Sequence, residues 1–539
     1  MGFALALSSN ISDKWVLVID DIEGVREQLN MSLSSSGFAK LHVVGSIKDA
    51  LLRMETSRYD VILCDYLLGE GTDGQQFLKY LRTNDLITRN TIFIMMTGEQ
   101  AFEKVMAASE VAPDDYMLKP FTAAQFNVRL EKLFEKQEYF APIDKASDSK
   151  NPGRIIAECN QRLILKDKYF VDLCKIKAAV LIRDGRPQEA VDIYRDVLAL
   201  RPVNWAKLGL ARALLMLNKN NDAEVLIREI LAESPQFMGA YDLLGQLLVS
   251  SGSKHEALDV LQKAREVVPG AMSRVREISK LAVSTGNHEL AEQIMSEALQ
   301  KHRFSPVREA NDYVVLSNAL IGQGKTKEAL SVVADAQKSF SDEHSVVALA
   351  VSESDVHRVA GNTAKAEAAI NKALSQSDLT KLPTHLVMTL ADACLAMGKD
   401  EHGTSLLRHA VQNNPEDESV KNRVHEILTA AGQDASQATA MIEESNRAVI
   451  LLNNEGVQKA EGGQLTEAVE MLTQAANRLP NNMQIVSNAA LVLALDLVRN
   501  GTKPERLNRC MHYRGELIKK APTHPKLTQI DELLKQLKK

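Results

Sequence analysis

From Trp15 to Glu138 the chain alternates between short apolar runs and amphipathic stretches with helical spacing, the pattern of an α/β domain built on a parallel sheet. Five runs read as strands: WVLVID (15–20), KLHVV (40–44), DVILCD (60–65), TIFIMM (91–96) and DYML (115–118). Most are apolar at consecutive positions rather than at every second one, as strands buried on both faces must be. With a helix after each strand, this predicts one doubly wound unit of flavodoxin-like type.

Residues 138–154 contain APIDKASDSKNPG, which is polar, holds two prolines and lacks an apolar period, so it reads as the interdomain linker. Beyond it no strand pattern returns. The remainder has helical period and is punctuated by glycines, each followed at a fixed distance by an alanine. Ala190, Ala223, Ala257 and Ala291 recur at intervals of 33, 34 and 34 residues. The intervals then lengthen to 38, 37 and 37 through Ala329, Ala366 and Gly403, blur around Gly432, and resume at Gly456, Gly463 and Ala468. Such a period describes antiparallel helix pairs. Small residues such as Gly245, Ala257 and Ala264 sit where two backbones approach, Leu244, Leu248 and Leu261 fill the gap, and a loop glycine allows the turn. One pair cannot bury its own apolar face, so neighbours stack into a superhelical all-α solenoid. The stretch resembles the tetratricopeptide (TPR) repeat family over residues 155–525, as about eight or nine repeats. Residues 526–539 read as a basic C-terminal helix.

Composition agrees with this division. Of 539 residues, 45% are hydrophobic, 25% charged and only 5% aromatic, which favours helix over sheet. A net charge of -6 gives no broad electrostatic footprint for nucleic acid, so that partner is disfavoured. The locally basic tail from Lys503 reads as a solvated helix face. Cys64, Cys159, Cys174, Cys394 and Cys510 lack paired spacing and read as buried thiols of a reducing compartment. The start, MGFALALSSN, has no positive leader and nothing later reaches spanning length, which implies no membrane and a cytoplasmic location.

Polar groups that interrupt the apolar strands carry the chemistry. Asp20 and Asp21 end the first strand, Asp65 ends the third, Thr97 follows the fourth, and Lys119 follows the fifth. All lie at carboxyl ends of strands, the edge where open doubly wound sheets bind ligands. Three carboxylates brought together repel unless a divalent cation sits among them, and oxygen donors suit Mg²⁺. Taken singly, each has a plainer use as a helix cap or a loop charge.

In order, VLVIDD, VILCDYLLGEGTDG, MMTGE and DYMLKPF make residues 13–137 resemble the receiver domain of two-component response regulators, with spacings of 44, 32 and 22 residues from Asp21 to Asp65, Thr97 and Lys119 in turn. The resemblance implies that Asp65 is the phosphoacceptor, and that Asp20, Asp21, Asp65 and the Leu67 backbone carbonyl hold Mg²⁺. Thr97 and Lys119 would grip the phosphoryl oxygens, Tyr116 would be the switch aromatic, and Glu99 and Leu67 would tune phosphoryl lifetime. The implied donor is a sensor histidine kinase or phosphotransfer protein. The array contains no Walker A loop, HExxH or helix-turn-helix, so output is expected through a protein partner or self-association into a homodimer, not through an enzyme activity. The alternative is a phosphoryl sink or relay modulator with the array as constitutive scaffold.

Overall fold

The structure is a computed structural model. It describes residues 11–68, 73–88, 90–98, 112–148, 151–268, 271–303, 307–376, 378, 380–522 and 524–537. The chain divides into two compact units, Met1–Arg308 and Glu309–Lys539.

The first unit opens with five strands, β1 (Trp15–Ile19), β2 (Lys40–Val44), β3 (Val61–Asp65), β4 (Ile92–Thr97) and β5 (Asp115–Leu118), in the spatial order β2-β1-β3-β4-β5. Every neighbouring pair is parallel. Alternate residues of each strand enter different cores, because side chains alternate across a pleated sheet. Leu17, Ile62, Cys64, Phe93 and Met95 join Ile47 and Ala50 of α2 (Ile47–Thr56) and Phe77, Leu78 and Leu81 of α3 (Gly74–Thr83). Val16, Val18, Leu63, Ile94 and Met96 face Leu29 and Leu33 of α1 (Glu23–Ser35) and Phe126 and Leu130 of α4 (Ala123–Asp148). The sheet reversal between β1 and β3 leaves a crevice at the strands' carboxyl ends, where Asp20 and Asp65 emerge.

Much of the stretch read as a linker is helical. Helix α4 continues to Asp148 with Pro142 inside, and the next helix, Pro152–Leu163, begins four residues later with proline at its first turn. The proline removes one backbone donor, but packing outweighs that loss. Phe140 and Ile143 are buried, the Tyr139 and Tyr169 rings lie 4.4 Å apart, and Tyr139 Oη donates to Asp167 Oδ2 at 2.7 Å. The last helix of the α/β domain is thereby docked directly on the helical array.

The repeats appear as helical hairpins. In the first unit they are Phe170–Arg183 with Pro187–Leu200, Asn204–Met216 with Asn220–Glu233, Met238–Ser250 with Lys254–Val267, and Met272–Ser284 with His288–Lys301. Gly252 takes φ +84°, and the Ser253 N–H then donates back to the Leu248 carbonyl at 2.8 Å, closing the helix end. The second hairpin has no such glycine in the sequence pattern. There Asn218 takes φ 58°, and the Lys219 N–H reaches the Leu214 carbonyl at 2.9 Å. Asparagine is the non-glycine residue that best tolerates this region. Asn218→Gly should therefore raise stability by a few tenths up to about 1 kcal/mol, and Asn218→Val lower it by more, read as urea-unfolding midpoints. The close helix approach predicted at Gly245 is real: a Cβ there would lie 2.9 Å from Leu261 Cδ2.

The second unit holds two of the three lengthened intervals, Ala329 to Ala366 and Ala366 to Gly403. Their extra residues lie in the 17-residue helix Glu343–Val359 and between the helices Thr363–Gln376 and Thr384–Ala396. Gly403 replaces the repeat alanine because Leu395 fills the space, its Cγ only 2.5 Å from where a Cβ would stand. The blurred unit after Gly432 is one helix of 27 residues, Ala435–Glu461, about 40 Å long. It serves two successive hairpins with no loop between them. In the basic tail Lys503, Arg509, Lys519 and Lys520 are exposed, while Arg506 pairs with the buried Asp496 and Arg514 with Asp531. Helix Lys526–Gln536 turns Ile530 fully inward, with Leu527, Leu533 and Leu534 around it, and so closes the apolar end of the array. Ile530→Ala should cost about 2–4 kcal/mol locally, seen as early loss of amide protection in residues 483–536.

Candidate functional site

The crevice collects the predicted residues from four strand ends. Asp20 follows β1 and is fully buried, and its Oδ1 accepts from the Ile22 N–H at 3.0 Å. Arg26 Nη1 donates to the Asp20 carbonyl at 2.8 Å, so both the side chain and the backbone of this residue are fixed. Asp21 is exposed beside it. Asp65 ends β3, only 7% exposed. One carboxylate oxygen each from Asp20, Asp21 and Asp65 lie within 4.8 Å of one another.

Lys119 crosses from beyond β5 to bind both buried acids, Nζ to Asp20 Oδ2 at 2.6 Å and to Asp65 Oδ2 at 2.9 Å. Burial pulls the ammonium pKa down, but the bonds to Asp20 and Asp65 outweigh it and hold the pKa above its usual value. Burial pushes the Asp65 carboxyl up, Lys119 draws it back, and the neighbouring Asp20 charge adds to the rise. With one lysine against three acids, the cluster stays two positive charges short of neutralisation. The arrangement fits a magnesium ion: hard oxygen donors converge from three chain positions with one face open to solvent.

Thr97 is buried at the end of β4, its Oγ1 donating to the Gly98 carbonyl at 3.2 Å. Tyr116 stands opposite Met95 in the sheet register, and its ring packs with the core that holds Cys64 and Phe93. Leu67 is 65% exposed and forms an isolated bridge with Asp73, which turns the chain back beside the acids. Glu99 and the helix expected after β4 lie outside the described residues.

Two positions that the sequence reading did not single out shape the site. Asp73 caps α3, accepting from the Gln76 N–H at 2.7 Å. At Gly74 a Cβ would stand 2.4 Å from the Asp65 carbonyl oxygen and 2.8 Å from Met95 Sδ. Only glycine lets α3 start against the backbone of Asp65. The signal was a glycine directly after a capping aspartate, inside a run that otherwise reads as loop.

The five cysteines are buried free thiols. Cys64, next to Asp65, is held far from its thiolate by burial first and then by the charges of Asp65, Asp73 and Asp20.

A parallel sheet of this order with an acidic triad and a lysine at its carboxyl edge is the arrangement of a receiver-type fold. The family models agree: residues 16–131 match the response regulator receiver domain, and residues 181–248 match the tetratricopeptide repeat. The chain carries a receiver domain followed by a long all-helical array of tetratricopeptide type. Over 157 residues it is 30% identical to the alkaline phosphatase synthesis transcriptional regulatory protein PhoP of Bacillus subtilis, covering 29% of this chain and 62% of that protein. It is 26% identical over 121 residues to the chemotaxis protein CheY-3 of Vibrio cholerae, covering 22% of this chain and 92% of that one. Among solved structures, a tetratricopeptide repeat protein from Parabacteroides merdae aligns with 49% of this chain and 98% of its own at 15% identity and a TM-score of 0.38. No described helix is long and apolar enough to cross a membrane.

Proposed function

We propose that the chain is a cytoplasmic response regulator in which residues 13–137 accept a phosphoryl group on Asp65 and residues 155–525 convert its arrival into a change of protein contacts. The observation that carries this reading is Asp65 itself: a buried carboxylate at a strand end, within 4.8 Å of the two other acids and 2.9 Å from Lys119 Nζ. The donor is a phosphohistidine of a sensor kinase or phosphotransfer protein. An Asp65 carboxylate oxygen attacks phosphorus, the P–N bond breaks, and the departing imidazole takes up a proton.

Asp20, Asp21, Asp65 and the Leu67 carbonyl would hold Mg²⁺, which when bound would supply positive charge for the phosphoryl oxygens. Lys119, already at Asp65, pairs with one phosphoryl oxygen, and the Thr97 hydroxyl leaves Gly98 to donate to another. The vacated space admits Tyr116, and β5 and α4 change shape with it. Because α4 is docked on the array through Tyr139, Phe140 and Ile143, that change passes along a helix rather than a loose tether.

The test uses the purified chain with Mg²⁺ and acetyl phosphate, followed by intact mass, and beryllofluoride, followed by amide exchange in residues 97–148. A mass gain that chelator prevents, together with altered exchange in α4, is expected. A mass gain with unchanged exchange leaves a phosphoryl sink and removes the switch.

A further inference from the structure

Receiver helix α3 and the array enclose a cleft of about 730 Å³. Lys79 and Ala112 line it from the receiver side, and Lys79 Nζ donates to Ser273 Oγ at 3.1 Å across it. The first helix of each of the four leading hairpins lines the other side. The floor is apolar, formed by Ile182, Leu208, Phe237 and Met238.

The charge around this floor is uneven. Lys175, Arg183 and Arg212, on the first two hairpins, are exposed, and among the described residues no carboxylate pairs with them. Lys175 lies 5.7 Å from the Trp205 ring centroid, which holds the ammonium over the cleft. The acids of the cleft, Asp242 and Glu277, lie on the third and fourth hairpins, and Arg274 engages Asp242 at 3.0 Å. One end is therefore strongly cationic beside apolar surface, and the other is mixed. A uniformly anionic polyphosphate would meet Asp242 and Glu277. A peptide with acidic residues grouped next to an apolar one matches both ends.

We propose that this cleft is a composite docking site for an acidic segment of a partner protein, gripped by the receiver and the array at once. It rests on the reading that the array works through protein contacts, and it names the contact surface and the partner's chemistry. It also gives the phosphoryl site a short route to the partner. Helix α3 starts at Gly74, against the Asp65 carbonyl, and Lys79 lies on the same helix less than two turns on.

The full chain is titrated into a short fluorescein-labelled peptide of Asp, Glu, Leu and Phe, followed by anisotropy, with and without beryllofluoride. Binding that weakens about tenfold in the Arg183→Glu/Arg212→Glu variant and severalfold in Lys79→Glu, but not in Lys263→Glu outside the cleft, is expected, as is no binding of a Lys, Leu and Phe peptide. The proposal is overturned by equal binding to wild type and the double variant, by no binding in either state, or by displacement with equimolar oligothymidylate. Loss in the double variant with none in Lys79→Glu overturns the composite character. If the variants behave as expected but beryllofluoride changes nothing, the cleft stands and phosphoryl control falls. If acetyl phosphate labels Asp65 while no peptide binds, the docking site falls and the phosphoacceptor reading stands.

Discussion

Asp65→Asn is expected to abolish phosphoryl uptake from acetyl phosphate while leaving the chain as stable as wild type or more so. Among the described residues, the neighbouring carboxylates are poorly placed to take over the chemistry. Asp20 is locked by Lys119 and by the Ile22 N–H, and Asp73 is spent capping α3. Asp21 is exposed, whereas Asp65 is only 7% exposed and has Lys119 Nζ at 2.9 Å.

The stability half follows from the direction of the Asp65 shift. Its carboxyl pKa is raised in the folded state, so the fold binds that proton more tightly than the unfolded chain does. Above the folded value the ionised group disfavours folding, and that penalty fades as the pH drops towards the unfolded value. Asparagine removes the penalty at neutral pH and still accepts a hydrogen bond from Lys119. Melting in the absence of magnesium should therefore give a Tm for Asp65→Asn at or above wild type. Added magnesium should raise the wild type and barely move the variant. A variant that melts well below wild type without metal would mean that Asp65 is structural, and its lost phosphorylation would then carry no weight.

What could be read in advance follows from how strongly burial constrains each element. The central strands β1, β3 and β4 are buried almost throughout, so nearly every residue in them must be apolar, and a polar residue at a strand end such as Asp65 stands out. The hairpins were visible because two backbones cannot approach at Gly245 or Ala257 unless the side chain is small. The same logic failed wherever tertiary contacts outweighed local preference. Pro142 and the polar run after it signal a break, yet Phe140 and Ile143 bury and Tyr139 stacks on Tyr169, and these contacts exceed the loss of one backbone hydrogen bond. Asn218 hides a turn that elsewhere needs glycine, and the helix Ala435–Glu461 erases a loop, so neither left the expected mark. The site was legible as a set of residue types in order. The contacts that tighten it, Arg26 on the Asp20 carbonyl and Gly74 under Asp65, are backbone contacts and carry no signature of chemistry.

Gly74 is the sharpest test of that second kind of residue. Its φ is not in the left-handed region, so alanine meets no conformational penalty at this position, and α3 should gain slightly from the better helix former. Any loss must come from contact. The new methyl would stand 2.4 Å from the Asp65 carbonyl oxygen, which is backbone of a central strand, and 2.8 Å from the sulfur of Met95, which can swing aside. Relief therefore requires α3 to move away from β3. That opens the packing of Phe77, Leu78 and Leu81 and strains the 2.8 Å bond from the Gly74 N–H to the Tyr66 carbonyl, next to Asp65. Gly74→Ala should destabilise the receiver by about 1–3 kcal/mol in urea unfolding. It should also slow labelling by acetyl phosphate under conditions where the protein is still fully folded, because the Leu67 carbonyl and Asp65 no longer share their geometry. Gly24 makes the comparison clean: it lies in α1 with no atom within 4 Å of a built Cβ, so Gly24→Ala should be neutral or stabilising and leave labelling untouched. If the two variants unfold and label alike, the close approach at Gly74 is not what positions the acceptor.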